Sequence, residues 1–116
     1  MVAQMNESEF EALSGAALAH IEAAFEAAMD DSAAELDFET PAVGVIELQF
    51  ADGSRIVVNR HGAAQEIWVA AKSGGFHYRW DGAVWRDTRD GSELMSALSR
   101  LVSAQAGAAV DLVSGE

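Results

Sequence analysis

Two hydrophobic periods divide the chain, and their order decides its fold class. From Asn6 to about Met29, the apolar positions Phe10, Leu13, Ala17, Ile21, Ala24, Phe25 and Ala28 recur at helical spacing in an alanine-rich background, which predicts an amphipathic helix. Asn6 with Glu9, or Ser8 with Glu11, has the spacing of a capping box at its start. Asp30, Asp31 and Ser32 lack helix propensity and should end it, and Gly15 is an internal weak point costing roughly 1 kcal/mol relative to alanine.

From Ile46 the period falls to two, with Ile46, Leu48 and Phe50 on one side and Glu47 and Gln49 on the other, which reads as a half-buried strand. Asp52-Gly53 predicts a tight hairpin turn, and Ile56 and Val58 resume the alternation after it. Further strands are expected at residues 66–71, 76–80 and 83–88, separated by Ser73-Gly74-Gly75 and by a second hairpin signal, Asp81-Gly82. An acidic stretch near Glu35 to Glu39 reads as a short edge strand, where charge blocks further pairing. Asp90-Gly91-Ser92-Glu93 has the cap-x-x-Glu spacing, and Leu94, Leu98, Leu101 and Val102 form the stripe of a second helix running to about Ala106. The order helix, five or six antiparallel strands, helix predicts an α+β two-layer sandwich whose helices cover one sheet face and leave the other wet.

The 116 residues, half of them apolar, suit one domain over the whole chain, with residues 1–5 and 107–116 as flexible ends. No apolar run approaches the ~20 residues of a membrane span, and the acidic, arginine-free start resembles neither a secretory signal nor a transit peptide, so a soluble protein is expected. The absence of cysteine excludes disulfides, thiolate metal sites and cysteine nucleophiles, leaving oxygen ligands or His20, His61 and His77 for any metal.

Charge is distributed unevenly. Nineteen acids face seven bases, and no base precedes Arg55, whereas Glu7, Glu9, Glu11, Glu22, Glu26, Asp30, Asp31, Glu35, Asp37, Glu39, Glu47 and Asp52 do. A net charge of -12 argues against nucleic acid or an anionic membrane and points to cations or basic surfaces. Glu22, Glu26 and Asp30 share one helix face at i, i+4 and i+8, where like charges repel. A solvated face explains such a triplet, but the acids continue through Asp31, Glu35, Asp37 and Glu39, which favours a weak cation site or a docking surface for a basic partner.

The wet sheet face carries a second feature. Alternation puts Trp68 outward with Glu66 and Ala70, and Gln49, Asn59, His77 and Arg79 join them, a set that reads either as a tryptophan covered by its neighbours or as a binding anchor. His61-Gly62 reads as a turn, and His20 flanks the acidic helix face as a weaker candidate ligand. No catalytic motif or phosphate-cradling glycine loop is present, so an enzyme is not expected.

The run from Gly53 through Arg60, followed by Gln65-Glu66-Ile67-Trp68-Val69-Ala70-Ala71-Lys72-Ser73-Gly74-Gly75-Phe76-His77-Tyr78, resembles the central signature of bacterial frataxins of the CyaY type. The likeness extends from Met5-Asn6-Glu7 to Trp85-Arg86-Asp87 and the helix end Ser103-Ala104-Gln105-Ala106-Gly107. It implies a cytoplasmic bacterial regulator of iron-sulfur cluster assembly, binding Fe2+ or Fe3+ weakly at surface carboxylates. Its implied partners are the cysteine desulfurase and the cluster scaffold complex. It further implies a monomer, with iron-dependent oligomerisation and a ferroxidase-like or iron-storing role as the alternative; a metal-independent interaction module is the third reading. Carried over by position, Glu22 and Glu26 match the acidic ridge, Asp31, Glu35, Asp37 and Glu39 fall in the acidic loop and first strand, and Asn59, Gln65 and Trp68 match sheet-surface positions. Together with Asp30 these are the expected metal and partner residues. Ala23 and Ala27 stand where the family often carries acids, so the ridge is thinned.

Overall fold

A computed structural model describes residues 5–31 and 35–112. The elements are α1 (Glu7–Asp31), β1 (Leu36–Ala42), β2 (Val45–Phe50), β3 (Arg55–His61), β4 (Glu66–Ala71), β5 (Gly74–Trp80), β6 (Trp85–Asp87) and α2 (Leu94–Ala106). All six strands form one antiparallel meander in sequence order. The expected sandwich is therefore present with six strands. No helix among the described residues is long and apolar enough to cross a membrane.

Strand alternation explains which sheet face carries the core. Ile46, Leu48 and Phe50 of β2, Ile56 and Val58 of β3, Ile67 and Val69 of β4, and Tyr78 of β5 all point inward and are buried. They meet Phe10, Leu18, Ile21 and Phe25 of α1 and Leu94, Leu98 and Val102 of α2. Helix α1 crosses this face from β6 to β1, packing Phe10 edge-on to Trp85 and Phe25 edge-on to Phe38, with ring centroids 6.1 Å apart in each pair. Its C-terminal half thus lies over the edge strand β1.

The helix starts are set by local polar bonds. At α1 the capping box is Asn6 with Glu9: Asn6 Oδ1 accepts from Glu9 N at 2.8 Å, and Glu9 Oε1 accepts from Asn6 N at 3.0 Å. At α2 the cap is Glu93, not Asp90, because the Glu93 carboxylate takes both Met95 N and Ser96 N while Asp90 turns to Ser92 N. Gly107, at φ 71°, closes α2 in the left-handed conformation.

Several turns depart from the sequence expectation. The loop at Asp52-Gly53 has three residues, closed by Phe50 N to Ser54 O and Gly53 N to Phe50 O, and Gly53 alone takes positive φ there. His61 completes β3 rather than forming a turn, which falls instead at residues 62–65. Gly74 and Gly75 pair with Ala71 and Ala70 inside the β4–β5 ladder, so they extend β5. Residues 107–112 are anchored, not loose, because Val110 and Leu112 are buried and their backbones bond the Ser103 and Ser99 hydroxyls. Residues 1–4 and 113–116, the outer parts of both expected flexible ends, lie outside the described residues.

Candidate functional site

Two surfaces carry the residues singled out by the sequence. The first is acidic and straddles the β1 edge. On α1, Glu22 is half-buried and Glu26 and Asp30 are exposed, and the helix continues to Asp31 with no base in its last turn. Carboxylates there add to the negative end of the helix dipole, an unfavourable placement unless a cation or basic surface offsets it. The Asp31 side chain lies outside the described residues. Glu35 is exposed just before β1, and Asp37 and Glu39 are exposed within it.

Register places Asp37 opposite Gln49 and Glu39 opposite Glu47, on the open sheet face and not on the helix side. The acids therefore wrap around the edge strand from one layer to the other. Glu39 and Glu47 are like charges directly across the ladder, a destabilising pair. Glu47 is relieved by Arg55 at 3.6 Å and by the Gln49 amide at 3.1 Å.

Among the described residues, the ion pairs join Glu47, Asp52, Glu66 and Asp81 to bases, and none includes Glu22, Glu26, Asp30, Glu35, Asp37 or Glu39. Nor does any group of three or more carboxylates and imidazoles converge on one point there. Hard oxygen donors in this arrangement suit water-rich contacts to a hard cation, one or two carboxylates at a time, rather than a closed metal cage. His20 stands apart from them: it lines a cavity of about 380 Å³ with Trp80, Trp85 and Glu93, beside the far edge of the sheet.

The second surface is the open sheet face. Trp68 of β4 sits opposite Asn59 of β3 and His77 of β5, and Glu66 sits opposite His61 and Arg79. This register stacks three rings: His61 lies on Trp68 at 3.9 Å and His77 on its other side at 4.6 Å, each inclined by 10°. Both faces of the indole are thereby covered, and the half-buried ring shows solvent its rim.

Glu66 lies beneath, only 5% exposed although its strand position faces outward. Its carboxylate accepts from Trp68 Nε1 at 2.8 Å and from Arg79 Nη2 at 2.5 Å, with His77 Nδ1 at 3.5 Å. Burial pushes this carboxyl up, but the bonds from Trp68 and Arg79 and the charges of Arg79 and His77 outweigh it and hold the pKa below the ordinary glutamate value. The Asn59 carboxamide oxygen is buried without a hydrogen-bond partner among the described residues.

Gln65, expected beside Trp68, is turned elsewhere. It takes a left-handed backbone at φ 53°, and its amide donates to Met5 O at 2.5 Å, tying the β3–β4 turn to the segment that enters α1. What the sequence reading missed is the grouping of His61, Trp68 and His77 over Glu66. The four residues alternate outward on three strands, but only the register makes them neighbours.

An α+β sandwich with an acidic first helix and a tryptophan on its open sheet face has clear counterparts. Residues 3–108 match the frataxin-like domain family. The chain is 60% identical over 108 residues to the iron-sulfur cluster assembly protein CyaY of Dechloromonas aromatica, a match covering 93% of this chain and 99% of that one. To the protein of the same name from Cupriavidus pinatubonensis it is 55% identical over 109 residues, covering 93% and 96%. Among solved structures, frataxin from Psychromonas ingrahamii superposes with a TM-score of 0.80 at 28% identity, over 94% of this chain and 99% of that one. Trimeric frataxin from Saccharomyces cerevisiae, complexed with ferrous iron, shares the fold with a TM-score of 0.69 at 20% identity, over 92% and 91%. The chain belongs to the frataxin family, and within it to the bacterial CyaY type.

Proposed function

We propose that this chain is a non-enzymatic, iron-binding regulator of iron-sulfur cluster assembly in the bacterial cytoplasm. Iron, its cargo, associates weakly and at more than one place with Glu22, Glu26, Asp30, Asp31, Glu35, Asp37 and Glu39. The same ridge docks on a basic surface of the cysteine desulfurase, and the sheet face around Trp68 and Asn59 contacts the assembled complex with the cluster scaffold. The observation that carries this reading is a row of acids with no ion pair among the described residues, in a chain 60% identical to a named cluster assembly protein. Uncompensated carboxylates at a helix C-terminus favour bound cations and basic partners.

Titration of the labelled protein with Fe(II), or with Co(II) as surrogate, tests the metal part. Resonances around Glu22, Glu26, Asp30 and Asp31 should move while those of Leu98 and Leu101 stay fixed. A response centred on His61 or His77 rejects the assignment, and oxygen consumption during Fe(II) addition would favour an oxidising role. Capture of the desulfurase at low salt and its loss at high salt tests the partner.

A further inference from the structure

We propose that Glu66 is the positioning residue of the sheet-face docking surface, holding the Trp68 indole edge-on between His61 and His77 so that a partner meets its carbon rim. This rests on the reading of that face as a docking surface.

A carboxylate buried on the side of a sheet that faces water is costly unless bonds compensate it, and nothing in the hydrophobic core calls for one at this position. The bonds Glu66 makes go to the ring stack and its border, from Trp68 Nε1 and Arg79 Nη2, and His77 Nδ1 lies 3.5 Å from the same carboxylate. Because Glu66 and Trp68 are two residues apart on β4, they share a face, and the carboxylate lies along the strand at the nitrogen edge of the indole. One bond therefore sets the rotation of the ring. The two imidazoles then prevent tilting, His77 from β5 and His61 from β3, the latter held by Ala64 N donating to its Nδ1 at 3.2 Å.

The chemistry of the partner follows. Both indole faces are taken, so the tryptophan does not act by stacking on a partner's ring or guanidinium. Its N–H is already accepted by Glu66, so the partner need supply no acceptor for it. What the surface fits is a protein with a narrow apolar slot for the indole rim, bordered by polar groups for the imidazole edges.

The test uses the 15N-labelled full chain, with the Trp68 indole resonance assigned from Trp68→Phe. Glu66→Ala should move that resonance, speed its exchange with solvent about tenfold, as expected on losing a charged acceptor, and shrink the ring-current shifts of His61 and His77. Glu66→Gln, which keeps an acceptor, should restore all three. In complex with the desulfurase and scaffold, Glu66→Ala should raise the dissociation rate about three- to tenfold with association unchanged, and Glu66→Gln should again restore it. On the unaltered chain, which avoids any doubt over folding of the variant, the Trp68 indole proton should follow the same acid titration curve as the Glu66 carboxyl carbon.

An indole resonance that ignores both Glu66→Ala and the Glu66 titration overturns the proposal, whatever the partner does. If Trp68→Ala weakens the complex but Glu66→Ala does not, positioning by Glu66 is likewise overturned. If neither variant alters binding while the indole does respond to Glu66, the docking reading of the face is what fails.

Discussion

Gly15 lies in the interior of a 25-residue helix, where glycine is the least favourable residue after proline. A Cβ built there meets no atom within 4 Å, so no packing demand requires the glycine. Gly15→Ala should therefore stabilise the protein by roughly 0.5–1 kcal/mol, raising the melting temperature by about 4 °C. A thermal melt decides it, and an unchanged or lower midpoint would mean that the helix is strained at that turn. Gln65 is the opposite case. A side chain there adopts the left-handed backbone because its own amide is used, reaching back to Met5 O. The residue identities that matter most are those whose local cost is offset by a specific long-range bond.

At the scale of the element, α1 works against itself electrostatically. Glu22, Glu26 and Asp30 repeat every four residues, and Asp30 and Asp31 sit where the helix dipole is already negative. Neutralising either member of such a like-charged i, i+4 pair should relieve about 0.2 to 0.5 kcal/mol of repulsion. Glu22→Gln and Glu26→Gln should thus each raise the midpoint of urea unfolding slightly at low salt, and the gain should shrink as salt screens the repulsion. A loss of stability in Glu26→Gln would show that its carboxylate is bonded within the fold. Strand β1 has the same character, with Asp37 and Glu39 on its open face, Glu39 facing Glu47 across the ladder, and Pro41 near its end; acids and proline both discourage a further strand from pairing. An element selected for stability alone would carry bases among these acids.

Across the whole molecule, the acidic ridge and the aromatic sheet face are separate surfaces joined over β1 and β2. They should contribute to association at different stages. Glu22→Gln combined with Glu26→Gln should slow association with the desulfurase and flatten its salt dependence, because steering acts at long range and is screened over about 8 Å at physiological ionic strength. Trp68→Ala should instead raise the dissociation rate and leave the salt slope unchanged. Stopped-flow binding at several salt concentrations separates the two, and a Trp68→Ala variant with unaltered kinetics would leave that tryptophan as a covered surface residue and no more.

Periodicity and charge, both local properties of the chain, determined the helix–meander–helix order, the inward residues of β2, β3 and β4, the outward placement of Trp68 and the acidic first half. They hold because a helix or strand exposes its own repeat whatever it packs against. Contacts between elements were decided only by tertiary structure. A three-residue loop at residues 51–53, β3 running on to His61, and β5 beginning at Gly74 set the registers that bring His61, Trp68 and His77 into one stack over Glu66. Since a one-residue slip sends every side chain to the opposite face, such neighbours depend on turn lengths that residue type alone does not specify. The same holds for Glu93 as the cap of α2, for Gln65 turned to Met5, and for Val110 and Leu112 drawn into the core: each depends on a bond or a cavity supplied by a distant part of the chain or by a turn whose path is set by the fold.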